Sequence, residues 1–180
     1  MSLWVVDVEA DGPCPGKFSM VSFGAVRVDN ELKTSFYGQI APISEEWIPE
    51  ALAVSGHTRE ETLLFPNQFD VMSKFAAFIS EHNIGDRPIF LSDNNGFDWQ
   101  FINYYFHVYY GSNPFGHSSR RITDIAAGLA GKLSGSGNWR KGRKTKHTHH
   151  PVDDAMGNAE AFVTLCNRYK VSIPHLNIIK

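Results

Sequence analysis

The chain has 180 residues, of which 42% are hydrophobic and 20% are charged, and a single domain with one sizeable core is the expectation for residues 1–180. The formal net charge is −2, so overall charge does not indicate a nucleic-acid partner. The two cysteines, Cys14 and Cys166, exclude a disulfide framework, and the absence of a CxxC pair excludes the usual structural zinc motif.

The N-terminus enters a predicted strand almost at once, without a basic segment followed by a long apolar stretch. This start argues against a signal peptide, and no apolar run in the sequence is long enough to cross a bilayer. We therefore expect a cytoplasmic protein without a membrane partner.

Apolar runs and turn signals predict strands early in the chain and alternating strands and helices later. The predicted strands are Leu3 to Val8, Phe18 to Val28, Leu32 to Ile40, Pro88 to Ser92 and Arg121 to Thr123. The predicted helices are Glu45 to Val54, Gln68 to His82, Phe97 to Tyr109, Ile125 to Leu133 and Val152 to Tyr169. The first three strands indicate an antiparallel meander, and the whole order indicates an α/β sandwich around a mixed sheet.

Two acids on the first strand, Asp7 and Glu9, are the most informative pair. Residues two apart on a strand project from the same face, whereas Trp4, Val6 and Val8 point the other way. Two bare carboxylates buried together would be costly, and a hard divalent cation is the simplest compensation. The alternative is that the strand ends at Val8 and leaves both acids in solvent.

Further acids lie at the starts of two predicted helices. Asp98 follows the fourth strand and opens a helix, where it could equally stabilise the helix start. Pro151 suits a first helical turn, which places Asp154 near the start of the last helix and His149 just before it. A histidine there can take a proton from water near neutral pH. The alternative is helix capping by the acid beside a solvated histidine run.

The order of these sites is more specific than any one of them: D-x-E on an early strand, N-x-x-F-D at a strand–helix junction, and H-x(4)-D-A on a late helix. In this order the sequence resembles the DEDD exonucleases of the ribonuclease-H-like fold, in the subgroup with a histidine base. That family includes oligoribonuclease, ribonuclease T and the proofreading subunit of DNA polymerase III. The resemblance extends from Leu3 to Cys166 and includes the segment Val54 to Thr58.

The resemblance implies a ribonuclease-H-like three-layer sandwich, with helices flanking a mixed five-stranded sheet, as a single exonuclease domain. It implies Asp7, Glu9, Asp98 and Asp154 as ligands of two divalent ions, Mg²⁺ with Mn²⁺ able to substitute, and His149 as general base. The implied activity is 3′–5′ hydrolysis of single-stranded nucleic acid to nucleoside 5′-monophosphates by a two-metal mechanism. RNA and DNA stay equally open, and a homodimer is an expectation from similar enzymes.

The sequence departs from the family pattern at three places. Ala10-Asp11-Gly12 stands where many members have threonine and glycine after the glutamate, which leaves contacts to the terminal nucleotide open. Asp93 stands where many members carry a histidine. His150 is a rival base, because its spacing from Asp154 matches that of the tyrosine subgroup.

A basic segment precedes the histidines. Between Asp124 and Asp153 there are six lysines and arginines and no acid, and five of the six are candidate phosphate contacts: Arg140, Lys141, Arg143, Lys144 and Lys146. The alternative is a solvated charge run. The aperiodic stretch from Ser134 to Thr148 is predicted to be a mobile loop.

Four further residues are candidate nucleic-acid contacts. Ala10 follows Glu9, and Asn94 lies four residues before Asp98. Phe18 is a candidate stacking platform for a base, and Met20 is its apolar neighbour.

Three other functions are consistent with parts of this pattern. A nucleic-acid-binding module could share the fold without catalysis. A metal-binding or storage protein could use His147, His149 and His150, although zinc sites usually draw ligands from several elements. A magnesium-dependent phosphatase is the third alternative.

Overall fold

A computed structural model describes residues 1–173 of the chain. Its five strands form one sheet in the order β3-β2-β1-β4-β5. They are β1 Leu3–Ala10, β2 Met20–Val28, β3 Ser35–Gln39, β4 Ile89–Ser92 and β5 Ser119–Arg121. The first three strands pair antiparallel, whereas β4 is parallel to β1 and β5 is parallel to β4. The predicted meander and mixed sheet are confirmed.

Each of the five predicted helices has a counterpart among the described residues, and one short helix, Arg59–Thr62, was not predicted. They are α1 Pro49–Val54, α2 Arg59–Thr62, α3 Gln68–His82, α4 Asn95–Tyr105, α5 Ile122–Ala130 and α6 Pro151–Tyr169. A π-helical turn, Phe106–Tyr110, continues α4, and a 3₁₀ helix, Ser136–Gly142, precedes α6. None of the helices within residues 1–173 is long and apolar enough to cross a membrane.

The alternation of side chains along β1 separates two cores. Trp4, Val6 and Val8 join a core with the buried residues of α3 and α4 on one face of the sheet. Leu3 and Val5 join a second core with α5 and α6 on the other face. The sheet is therefore the middle layer of a three-layer sandwich, as the sequence predicts.

Differences from the expected elements arise from long-range pairing. Strand β5 begins two residues before its predicted start because Ser119 pairs with Phe90 across the sheet, and α5 then begins at Ile122. The loop predicted from Ser134 to Thr148 is wrong for Ser136–Gly142. That part forms a 3₁₀ helix because Trp139 is buried and its Nε1 donates to Thr123 Oγ1 at 3.1 Å.

Candidate active site

The first two acids lie within β1, not beyond its end. Strand β1 continues through Glu9 to Ala10, which rules out the alternative that it stops at Val8. Glu9 is buried, and Asp7 lies deep in the cleft with its side chain still partly open to solvent. The two side chains share the face of the sheet on which α6 packs.

A glycine opposite Asp7 brings α6 into place. Asp7 pairs with Gly24 of β2, and a Cβ on Gly24 would lie only 2.4 Å from the backbone of Pro151 and Val152. The first turn of α6 therefore rests directly on the sheet, and it carries Asp154, which is fully buried. Ligand oxygens of Asp7, Glu9 and Asp154 all lie within 4.8 Å of one another.

Asp98 joins these acids from the first turn of α4. Its Oδ1 accepts a hydrogen bond from the backbone N–H of Val8 at 3.2 Å, so the carboxylate lies against β1 between Asp7 and Glu9. Its Oδ2 is buried and has no hydrogen-bond partner among residues 1–173. The hydroxyl of Ser92 is near enough to lower the pKa of Asp98, but it forms no hydrogen bond of good geometry.

Burial and the repulsion between neighbouring carboxylates raise the pKa values of Asp7, Glu9 and Asp98. Burial, and then the charge of Asp154, raises the pKa of Glu9 from 4.5 to about 7. Burial first, and then the neighbouring carboxylates, raises the pKa values of Asp7 and Asp98 well above 3.8. A buried carboxylate oxygen without a donor, in a set of oxygen ligands only, is what a hard divalent cation requires. The four acids therefore fit the metal ions that the sequence implies.

His149 is tied to this cluster through its backbone. Its φ of 61° lies in the left-handed region, which costs a non-glycine residue on the order of 1 kcal/mol. Its N–H donates to Asp154 Oδ2 at 3.0 Å, which offsets that cost, and its Nδ1 lies 3.7 Å from Glu9 Oε1. The ring of His150 instead packs on Tyr37, with centroids 4.8 Å apart. Of the two rival bases, only His149 lies beside the acids.

Comparisons with known proteins identify the family of this chain. No protein-family model matches the chain. The 3′–5′ DNA exonuclease Cap18 of Escherichia coli is 37% identical over 169 residues, which cover 87% of each chain. The chain belongs to the DEDDh 3′–5′ exonucleases.

Solved structures show the same fold. The nuclease domain of 3′hExo, a DEDDh family member, bound to rAMP, matches this exonuclease with a TM-score of 0.75 at 15% identity, over 93% of this chain and 92% of that one. The cell-death related nuclease 4 (CRN-4) matches with a TM-score of 0.74 at 12% identity, over 93% of this chain and 64% of that one. Exonuclease I of E. coli in complex with a dA16 oligonucleotide matches with a TM-score of 0.64 at 18% identity, over 93% and 41%. The predicted ribonuclease-H-like fold is confirmed.

His147 lies at the site of this exonuclease, although the sequence interpretation gave it no catalytic part. Its Nδ1 is 2.7 Å from Asp154 Oδ1, and its ring centroid is 4.3 Å from that of His149. The sequence placed His147 only in the metal-storage alternative. The available signal was the H-x-H spacing, which lets two imidazoles in an extended stretch turn to the same side.

The basic segment is only partly free to meet a substrate. Arg140 binds both carboxylate oxygens of Asp93, each at 2.6 Å. Arg143 donates to Asn158 Oδ1 at 2.7 Å and to the backbone carbonyl of Asp154 at 3.3 Å. Both guanidinium groups thus hold the segment against the fold. The side chain of Arg143 is only 15% exposed, whereas that of Arg140 is 44% exposed, so a phosphate contact by Arg140 stays a prediction. The lysines of the segment are exposed: Lys141, Lys144 and Lys146.

The candidate base contacts need correction as well. Met20 is fully buried, and the ring of Phe18 lies so close under Gly12 that a Cβ there would be 2.2 Å from it. Neither side chain offers a face to a base, so the assignments of Phe18 and Met20 are wrong. Ala10 borders a groove beside Glu9, and Asn94 is exposed just before α4, so these two positions stay compatible with substrate contact.

The apolar groove beside the acids was not expected from the sequence. Its walls come from the loop after β1, from α1 and from α4. They include Ala10, Gly12, Ile48, Ala51, Val54 and Phe97. Only the likeness of Val54 to Thr58 to a family segment pointed to this region, because the groove forms between elements far apart in the chain.

Asp11, one of the departures from the family pattern, anchors the wall of this groove. Its buried carboxylate pairs with Arg59 of α2 at 2.9 Å, and its backbone carbonyl accepts the N–H of Ile48 at 2.8 Å. The guanidinium of Arg59 also donates to the backbone carbonyl of Ser44. Asp11 therefore joins the end of β1 to the segments that carry α1 and α2.

Proposed function

We propose that this exonuclease removes nucleoside 5′-monophosphates one at a time from the 3′ end of single-stranded DNA. In this proposal Asp7, Glu9, Asp98 and Asp154 hold two divalent ions, and His149 is the general base. The observation that carries it is the close group formed by Asp7, Glu9 and Asp154. Asp98 is held beside β1 by the backbone N–H of Val8 and has one buried oxygen without a donor among residues 1–173. The choice of DNA rests on the name of the 37% identical relative.

The ions that suit this oxygen-only set are Mg²⁺ and, in its place, Mn²⁺, and when bound they supply charge stabilisation for the attacked phosphate and the leaving 3′ oxygen. The carboxylate of Asp98 is fixed by the backbone N–H of Val8, and Asp7 is part of β1 itself. His149 takes the proton from the attacking water, since its ring is half-exposed on the open side of the cluster. The hydrogen bond from its backbone to Asp154 fixes the distance between base and ligand.

The groove and the lysines suit the other parts of a 3′ terminus. The apolar walls formed by Val54 and Phe97 open next to Glu9 and would receive the terminal base by stacking and apolar contact. The exposed Lys141, Lys144 and Lys146 lie on the segment that leads into His149, where they would attract backbone phosphates. With these contacts to the terminal base and the phosphates, the other bases of the DNA strand need no specific contact. This fits an enzyme that shortens DNA of varied sequence.

Digestion of matched oligonucleotides tests the proposal. Single-stranded DNA and RNA of one sequence, labelled at the 5′ end, are incubated with Mg²⁺ or with EDTA. We expect a ladder that shortens from the 3′ end, with DNA degraded faster than RNA, and no cleavage in EDTA or by Asp7→Asn. Asp124→Asn, an exposed acid on α5, is the matched control and should retain activity.

Each part of the proposal has its own contrary result. Equal cleavage by Asp7→Asn would contradict the ligand assignment. Faster loss of RNA than of DNA would contradict the substrate, and release of dinucleotides or of nucleoside 3′-monophosphates would contradict the products.

A further inference from the structure

His147, His149 and Asp154 form a compact set of ligands next to the four-acid cluster. One ligand atom from each lies within 4.8 Å of the others. The two imidazole rings are in contact at 4.3 Å between centroids, and His147 Nδ1 reaches Asp154 Oδ1 at 2.7 Å. Asp154 is thus shared between an all-oxygen ligand set and a set with two nitrogens.

The two sets prefer different metals. Carboxylate oxygens suit Mg²⁺, whereas imidazole nitrogens favour later transition metals, and Zn²⁺ commonly takes two histidines and one carboxylate with a fourth position open. Mg²⁺ at physiological excess therefore competes poorly for the two histidines. We propose that His147, His149 and Asp154 bind Zn²⁺, and that Zn²⁺ bound there inhibits the exonuclease.

The site is open to solvent at its two histidines, and its third ligand, Asp154, is buried and held in place. The side chains of His147 and His149 are 53% and 48% exposed, so an ion reaches them from solvent. Asp154 is fully buried, and the backbone N–H groups of Thr148 and His149 hold its two oxygens at 3.2 and 3.0 Å. Little reorganisation of Asp154 is needed on binding, which favours affinity.

Inhibition follows from the identity of one ligand and rests on the proposed function. A ring nitrogen of His149 that is bonded to Zn²⁺ has no lone pair with which to accept a proton from water. Zn²⁺ at this site also draws on Asp154, one of the proposed Mg²⁺ ligands. His147 takes no part in the proposed chemistry, so it is the residue that distinguishes zinc binding from catalysis.

Titration calorimetry with Zn²⁺ in saturating Mg²⁺ tests the site directly. The proteins compared are the wild type, His147→Gln and the matched control His150→Gln, whose ring packs on Tyr37 instead. We expect one zinc ion per wild-type chain and per His150→Gln chain. His147→Gln should bind zinc at least roughly tenfold more weakly, since loss of even a supporting residue costs about 10–100-fold in metal affinity. His147→Asn serves as a second substitution if His147→Gln does not fold.

Zinc inhibition of DNA digestion is measured on the same proteins in Mg²⁺. The rate of each protein is expressed relative to its own rate without zinc. The zinc concentration for half-inhibition should be at least about tenfold higher for His147→Gln than for the wild type, and it should be unchanged for His150→Gln. Equal zinc affinity in all three proteins, equal weakening by both substitutions, or no binding to the wild type would overturn the site. If the wild type binds zinc tightly and His147→Gln binds it weakly, but both proteins are inhibited at the same zinc concentration, the inhibitory role would be overturned. Calorimetry does not depend on enzyme activity. Zinc binding can therefore be measured even if the proposed nuclease reaction is not observed.

Discussion

Gly24 and Pro151 are in contact backbone to backbone, so that a Cβ on Gly24 would lie 2.4 Å from the carbonyl carbon of Pro151. Gly24 is also the residue that pairs with Asp7 across β1 and β2. The close approach of α6 to the sheet therefore sets how near Asp154 comes to Asp7. A side chain at position 24 would separate the two acids, because the atom it meets is backbone and cannot rotate away.

Gly24→Ala tests this dependence. Overpacking against the backbone should destabilise the fold by about 1–3 kcal/mol, and displacement of α6 by even 1 Å should lower kcat/KM by about 100-fold. Chemical denaturation measures the first effect and single-strand digestion the second. Gly128→Ala is the control, because a Cβ there meets nothing within 4 Å. In helix α5 it should stabilise by about 0.5–1 kcal/mol and leave the rate unchanged. A Gly24→Ala protein as active as the wild type would remove the positioning role.

Asp98→Asn should raise the stability of the metal-free protein while it removes activity. The amide oxygen keeps the hydrogen bond from Val8, and an uncharged amide nitrogen replaces the buried oxygen that has no donor within residues 1–173. The substitution thus removes a carboxylate that burial and the charge of Glu9 disfavour. Relief of such a group is worth about 1–3 kcal/mol. Activity in Mg²⁺ should fall by at least roughly 10–100-fold. Thermal melting with and without Mg²⁺ should show that the stabilising shift by Mg²⁺ seen in the wild type is lost.

Asp153→Asn is the matched control for Asp98→Asn. Asp153 is adjacent to Asp154 in sequence, but its carboxylate accepts from Thr148 Oγ1 at 3.1 Å and lies outside the four-acid cluster. It should keep both the Mg²⁺-dependent melting shift and the activity. Loss of the shift in Asp153→Asn but not in Asp98→Asn would reverse the ligand assignment.

Local patterns in the sequence predict the strands of the sheet and the elements that carry the acids. The period-two alternation around Asp7 and Glu9 is a property of β1 alone, so it predicts which face carries the carboxylates. Proline and acids at the start of α6 likewise place Asp154 in a first turn. These features depend only on residues adjacent in the chain, and the structure has both of them as predicted.

The roles of individual basic and aromatic residues could not be predicted in the same way. Arg140 is paired with Asp93, 47 positions away, and Arg143 is paired with Asn158 on α6. Phe18 lies under Gly12 because the loop after β1 folds back on itself. Charge and ring content were visible in the sequence, but the partners that neutralise or cover them are set by tertiary packing.

The stability of the metal-free protein should fall as the pH rises from about 4.5 to about 7. Burial raises the pKa of Glu9 from 4.5 to about 7, so within this range the unfolded chain has released its proton and the native protein retains it. Proton release thus favours unfolding as the pH rises, by about 3 kcal/mol over the full window from Glu9. Chemical denaturation in EDTA at a series of pH values measures the slope.

Glu9→Gln should flatten this pH dependence, because the amide does not titrate. Saturating Mg²⁺ should reverse the dependence in the wild type, since the cation binds the ionised acids of the native state and its affinity grows as they lose protons. A metal-free wild type whose stability rises over this window would contradict a raised pKa at Glu9.

The two adjacent histidines should differ sharply in their effect on catalysis. His149→Gln removes the imidazole beside Glu9 and should lower kcat by about 100- to 10,000-fold, the usual contribution of a general base. His150→Gln removes a ring that packs on Tyr37 and should change kcat less than about twofold. The decisive measurement is kcat on one oligonucleotide in saturating Mg²⁺. A larger loss for His150→Gln than for His149→Gln would assign the base to His150.

Replacing the three exposed lysines by alanine should weaken the dependence of DNA binding on salt. Each phosphate contact on a single strand contributes about −0.7 to the slope of log K against log salt concentration, so the loss of Lys141, Lys144 and Lys146 should reduce the slope by about 2. Fluorescence anisotropy with the Asp7→Asn protein, in Ca²⁺ or without metal, measures binding without cleavage. Lys33→Ala, an exposed lysine paired with Glu31, is the control and should leave the slope unchanged. A slope equal to that of the parent protein would show that the lysines are a solvated charge run, with no phosphate bound to them.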